Sequence, residues 1–161
     1  MKASPKFTDF ETLLKVLAGP RAAGQTVAMA NGVFDLLHVG HIRYLEAAAD
    51  LADILVVAIN DDQSTHRLKG PDRPVIPEME RVEMVAALGV VDAVFLFSED
   101  DVRGILNRLK PDVHVKGTDY TPETIPERET VLAYGGRVAV AGDAKHHSTS
   151  KLLSRLSRGE K

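Results

Sequence analysis

The sequence predicts an α/β domain built on a doubly wound, five-stranded parallel sheet with helices on both faces. Three observations lead there. Short β-branched or apolar runs alternate along the chain with segments of helical periodicity, the order produced by repeated strand, helix, strand units. Those runs are apolar at nearly every position rather than every second one, as in strands buried on both faces. The chain has 161 residues, 44% of them hydrophobic and 27% charged, the size and composition of one domain with a substantial core.

Taken in order, Phe7, Phe10, Leu13, Leu14 and Leu17 recur at helical spacing behind the capping residues Thr8 and Asp9, and Gly19 and Pro20 end the pattern. This gives a helical extension over residues 1–25 packed on a main domain of residues 26–158. Strands are expected at 27–30, 54–59, 93–97, 113–115 and 138–141. Helices are expected near 41–51, 78–88, 100–109 and 124–134, with a last one over about 149–157. Residues 61–78 are polar, carry Gly70, Pro71, Pro74 and Pro77, and read as one long loop of the kind that serves as a lid.

Bulk properties narrow the function. A net charge of −3 supplies no overall field toward nucleic acid or an anionic membrane, so neither is an expected partner and any phosphate site must be local. The absence of cysteine excludes disulfides, thiolate metal sites and a cysteine nucleophile, and fits a reducing compartment. The first residues lack the unbroken apolar run of a signal peptide, and no stretch is long enough to span a bilayer as a helix. A cytoplasmic protein is expected.

In open parallel sheets, ligands bind beyond the carboxyl ends of the strands. After the first strand comes NGVFDLLHVGHIRYLEAA, residues 31–48, where His38 and His41 flank Gly40 at the start of a helix. Two imidazoles and free backbone N–H groups then face one place, with Gly40 admitting an anion closely, which points to a phosphate site. The competing readings of two histidines three apart are a helix-surface pair or part of a metal site. For the latter, only His66, His114, His146 and His147 remain as further imidazole ligands.

Other candidates follow the same logic. Lys116 and Gly117 end the fourth strand on the histidines' edge of the sheet and can face a nucleotide. Asp119 and Tyr120 contact sugar hydroxyls or form the turn. Ser148 and Thr149 begin the last helix, where hydroxyls cap or bind phosphate. Asp35 orients or caps its loop, and Asp61 and Asp62 read as turn residues. Lys69 stands beside Gly70, and Arg81 opens a helix, either near a ligand or paired on the surface with Glu78 or Glu80.

The segment GVFDLLHVGH, residues 32–41, resembles the G-x-F-D-x-x-H-x-G-H signature of the cytidylyltransferase-like nucleotidyltransferases. RLKGPDRPV, ERVEMVAAL, KPDVHVKGTDY and the late STS are similar, in order, to the branch that adenylylates D-glycero-β-D-manno-heptose 1-phosphate. The resemblance implies a Rossmann-like sheet, ATP with Mg²⁺, a sugar 1-phosphate acceptor, pyrophosphate release and a homodimer. It implies catalytic roles for His38, His41 and Lys69. Nucleotide contacts would come from Asn31, Gly32, Val33, Phe34, His38, Gly40, His41, Arg81, Lys116, Gly117, Ser148 and Thr149, and acceptor contacts from Asp35, Lys69, Asp119 and Tyr120. No protein ligand to the Mg²⁺ is expected, since the nucleotide and water hold it.

The departures are Val33 where the branch often has Cys, Thr118 where it often has Gly, and Ser148-Thr149-Ser150 for its S-T-T. An arginine that related glycerol phosphate cytidylyltransferases carry ahead of the S-T-T has no clear counterpart, Lys145, His146 and His147 being nearest. The HxGH element also occurs in class I aminoacyl-tRNA synthetases, which need a much longer chain and a KMSKS loop; Ser148 to Lys151 is only loosely like it. Two rival readings stand beside this one: a cytidylyltransferase acting on glycerol 3-phosphate or another alcohol phosphate, and a nucleotide-binding sensor that does not turn over.

Overall fold

The computed structural model describes residues 4–143. Eleven elements follow in the order α1 (Phe10–Ala22), β1 (Val27–Gly32), α2 (Val39–Ala49), β2 (Ile54–Asn60), α3 (Asp62–Lys69), α4 (Glu78–Ala86), β3 (Ala93–Phe97), α5 (Arg103–Leu109), β4 (Val113–Gly117), α6 (Arg128–Ala133) and β5 (Arg137–Ala141). All strand pairings are parallel and the sheet order is β3-β2-β1-β4-β5. The predicted doubly wound sheet of five parallel strands is therefore present. The chain winds outward from β1 to β3, then returns to place β4 on the other side of β1. That reversal opens a crevice at the carboxyl ends of β1 and β4.

The apolar strands follow from having two faces to fill. In β1 and β2, Ala28, Ala30, Leu55, Val57 and Ile59 pack with Tyr44, Leu45 and Ala48 of α2 and Val82, Val85 and Ala86 of α4. Their alternates Val27, Met29, Val56 and Ala58 pack with Leu13 and Leu17 of α1, Ile105, Leu106 and Leu109 of α5 and Val131 of α6. Leu13 and Leu17 thus put the N-terminal helix into the core of the sheet domain. The segment before it joins the β3 edge, where the Thr8 amide donates to Val94 O (3.1 Å) and the Val94 amide to Lys6 O (2.8 Å).

Two expectations about helices need correction. α1 does not stop at Gly19 and Pro20 but continues to Ala22 with Pro20 inside it. In the last turn, the N–H that proline lacks removes a single helical bond, and its fixed φ remains helical. The stop comes one turn later, at Gly24 with φ +85°. Residues 61–78 are likewise not one loop, because α3 occupies Asp62–Lys69. Asp61, expected in a turn, is its cap and accepts from the Ser64 amide (2.7 Å). The residues of α3 that turn inward are Ser64 and Thr65, so the helix has no apolar period to read. The remaining loop is 70–77, while α5 and α6 are shorter than expected. The helix expected over 149–157 lies outside the described residues. Among the described residues, no helix is long and apolar enough to cross a membrane.

Candidate active site

The crevice is a cleft of about 570 Å³. Its floor begins at the β1–α2 turn, where Phe34 (φ 53°) and Leu36 (φ 50°) both adopt the left-handed conformation, costing roughly 1–2 kcal/mol each. Surrounding contacts hold the turn in that shape. The Phe34 ring is buried against Gly32, whose missing side chain leaves room for it: a Cβ there would lie 3.2 Å from the ring. Asp35 is buried and accepts from Arg73 Nε (2.7 Å) and from the Val75 and Ile76 amides (3.0 Å each). Burial pushes the Asp35 carboxyl upward, but those two amides and the Arg73 guanidinium outweigh it and hold it below the usual carboxylate range. The carboxylate is thus engaged in orienting loop 70–77. Asp35 lines the cleft while its oxygens hold the protein's own donors.

His38 caps α2 with extended backbone, and its Nδ1 accepts from the Gly40 amide (3.1 Å). His41 reaches back so that its Nδ1 faces the His38 amide (3.4 Å), and the two rings stack with centroids 3.9 Å apart. A nitrogen that accepts a hydrogen bond carries no proton, so in each ring Nε2 carries it and remains a donor. Burial, with the neighbouring His38 adding and Asp35 opposing, lowers the His41 pKa to about 4. At neutral pH, His41 is an uncharged N–H donor beside a helix N-terminus, suited to phosphate oxygens.

The lysines approach from the sides. Lys69 ends α3 and Lys116 is the next-to-last residue of β4, and both line the cleft. Lys69 thus stands on a helix end rather than in a mobile loop. Lys116 Nζ lies 3.2 Å from Asn31 Oδ1, 3.2 Å from Glu127 Oε1 and 5.6 Å above the Tyr120 ring. Tyr44 fixes the distance between the two halves of the site, its hydroxyl donating to Val115 O of β4 (2.7 Å) from α2. Gly142, after β5, closes over the same helix. It has φ +98° and leaves only 3.3 Å between a would-be Cβ and Tyr44 Cα. Gly142→Ala is expected to lower stability by about 1–2 kcal/mol, measured as a reduced urea midpoint; an unchanged midpoint would contradict this account of the turn.

Of the residues singled out from sequence, Asn31, Gly32, Val33, Phe34, Asp35, His38, Gly40, His41, Lys69, Lys116, Gly117, Asp119 and Tyr120 all line this one cleft. Ser148 and Thr149 lie outside the described residues, as do Lys145, His146 and His147. Arg81 does not line the cleft. Its side chain is fully buried, with Nε donating to Ile76 O (2.9 Å), Nη1 to Val33 O and Asn60 O (2.9 Å to the latter), and Nη2 to Asp62 (2.8 Å). It clamps the ends of β1 and β2, and among the described residues it makes no pair with Glu78 or Glu80. Glu78 instead accepts from the Asp62 amide (2.8 Å). Glu127, missed in the sequence, reaches the cleft because the chain after β4 loops out and returns over Lys116.

Acid should loosen this arrangement. His41 is held near 4, and burial, assisted by Lys116 and opposed by Glu127, pushes the His114 pKa down too. Both groups bind protons more readily once unfolded, near the ordinary 6.5. Stability is therefore expected to be fully present above about 6.5 and to be lost as pH falls toward 4. Urea midpoints measured across that window test this, and His41→Gln should flatten the dependence; a midpoint independent of pH would refute it.

The parallel sheet, the strained turn and the stacked histidines at a helix N-terminus make this a nucleotide-binding type of α/β domain. A family model described as cytidylyltransferase-like matches residues 29–154, and the chain belongs to that family. It is 47% identical over 146 residues to the bifunctional protein HldE of Syntrophotalea carbinolica, covering 91% of this chain and 30% of that protein. It is 44% identical over 155 residues to the bifunctional protein HldE of Caulobacter sp., covering 96% and 32%. The chain thus spans about a third of the length of these relatives. Among solved structures, the lipopolysaccharide core biosynthesis protein of Thermoplasma volcanium superposes with a TM-score of 0.64 at 32% identity, over 76% of this chain and all of that one. The pantoate-beta-alanine ligase of Francisella tularensis, at 14% identity and a TM-score of 0.57 over 89% of this chain and 68% of that one, shares the fold.

Proposed function

We propose that the chain transfers AMP from ATP to a sugar 1-phosphate, D-glycero-β-D-manno-heptose 1-phosphate, giving ADP-heptose and pyrophosphate. The observation that carries the reaction class is the pair of Nε2–H donors of His38 and His41, fixed in one tautomer and facing a cleft that Lys69 and Lys116 also line. A phosphate oxygen of the sugar 1-phosphate attacks the α-phosphorus in line. A new P–O bond forms as the bond to the β-phosphate oxygen breaks, and pyrophosphate leaves. The attacking oxygen is already anionic at neutral pH and needs no general base, so catalysis consists of positioning and of stabilising charge on the phosphorus oxygens.

Neutral histidines suit that task as hydrogen-bond donors rather than as charges, and Lys69 supplies a flexible point charge. Mg²⁺ would neutralise the triphosphate. Among the described residues, no three carboxylates or imidazoles gather into a metal-holding group, so the ion is proposed to arrive on the nucleotide with water completing its shell. The choice of acceptor is supported by the resemblance of four further segments, by the relatives' name and by the solved neighbour's part in lipopolysaccharide core biosynthesis. A cytoplasmic homodimer is part of the same proposal, its assembly testable by light scattering.

The test is pyrophosphate release with ATP or CTP against heptose 1-phosphate, glycerol 3-phosphate and no acceptor. Release with ATP and heptose 1-phosphate alone is expected. Release with CTP and glycerol 3-phosphate would keep the chemistry and overturn the substrates. Nucleotide binding without release in any pair would favour the sensor reading.

A further inference from the structure

On β4, His114 and Lys116 are two residues apart and so share a face of the strand. Glu127 returns over that face at the start of α6. Its backbone carbonyl accepts from the Val131 amide (3.0 Å), yet its side chain makes no capping bond to the helix. The carboxylate turns instead toward the strand, with Oε1 3.2 Å from Lys116 Nζ and Oε2 3.6 Å from His114 Nε2. The three side chains are 8%, 12% and 0% exposed for Glu127, Lys116 and His114. At 3.6 Å the wholly buried imidazole lies just beyond ordinary hydrogen-bond length from Oε2 and backs the carboxylate from the side away from Lys116 Nζ.

A buried ion pair is a poor way to gain stability, since an apolar pair of the same volume does as well or better. Its value here lies in direction. An ammonium has three hydrogens; Asn31 and Glu127 take two of the Lys116 set. The same ammonium lies 5.6 Å above the Tyr120 ring, on the wall of the cleft that Lys116 lines.

We propose that Glu127 is a positioning residue that aims the Lys116 ammonium at the bound nucleoside triphosphate and thereby sets affinity for it. This rests on the proposed nucleotide contact of Lys116. Glu127 itself touches no reacting atom. Its loss is felt through Lys116 and chiefly in binding rather than in the chemical step.

The experiment is a double-mutant cycle with Glu127→Gln and Lys116→Met. The readouts are kinetics of pyrophosphate release and calorimetric affinity for the nucleotide that the wild type binds. Glu127→Gln is expected to raise the nucleotide KM and Kd about tenfold, by more than it lowers kcat, and to add nothing further once Lys116 is Met. Unchanged affinity, or an equal penalty in both backgrounds, overturns the proposal. Should Glu127→Gln fail to fold, Glu127→Asp is expected to give a smaller rise in KM and Kd; a drop in kcat at unchanged affinity would overturn it equally. A wild type that binds nucleotide but releases no pyrophosphate refutes the proposed reaction, while the calorimetric cycle still decides the role of Glu127.

Discussion

Replacing His38 or His41 with alanine is expected to lower pyrophosphate release by about a hundred- to a thousandfold, the usual consequence of removing one preorganised donor to a transition-state oxygen. The two rings are not interchangeable in their supports. His38 caps α2 through Nδ1, whereas His41 reaches back to the His38 amide and is held neutral chiefly by burial. His38→Ala therefore also removes a helix cap, costing about 1 kcal/mol, and lost activity alone would leave folding and chemistry entangled. His38→Asn separates them, because asparagine caps as well as any residue but has no donor where Nε2–H stood. Stability close to wild type with activity still reduced by about a hundredfold is the expected pair of results. Activity within a few-fold of wild type in either alanine variant would remove these histidines from the reaction.

The second large effect is on folding. Arg81→Ala is expected to destabilise the domain by about 3–5 kcal/mol, a large share of the roughly 5–15 kcal/mol that holds a domain of this size together. The arginine donates to the carbonyls of Val33, Asn60 and Ile76 and pairs with Asp62. Its loss orphans three carbonyls and a carboxylate at the point where β1, β2, α3 and loop 70–77 meet, and it opens a cavity as well. The urea midpoint should fall steeply. Arg81→Lys should recover only part of it, because an ammonium cannot span the same set of acceptors. A variant with wild-type stability and a raised nucleotide KM would instead restore Arg81 to the ligand.

The contrast between these residues shows what could be read along the chain. Strand-forming runs announced themselves through period and apolarity, and the His38-Gly40-His41 cluster through its place directly after one of them. Both signals are local: a strand buried on two faces has no polar position, and a helix start after a strand supplies its own anion site. α3 escaped notice because its inward residues are Ser64 and Thr65, held by hydrogen bonds instead of apolar burial. Arg81 looked like a ligand or a surface charge because nothing local says whether an arginine at the start of an amphipathic helix faces water. Glu127 was invisible for the same reason, lying eleven residues beyond Lys116 on a segment whose return path is not encoded in any period.

Period and apolarity along the chain suffice for the class of fold and its two-faced core, and they single out the β1–α2 turn as the candidate phosphate site. The partners of Asp35 and Arg81, the Nδ1 contacts of the two histidines and the Glu127 carboxylate beside Lys116 emerge only in the folded chain. The reason is physical. Periodicity and capping depend on neighbours a few residues apart, whereas the task of a charged side chain is set by which distant carbonyls, carboxylates and amides the fold brings within about 3 Å of it.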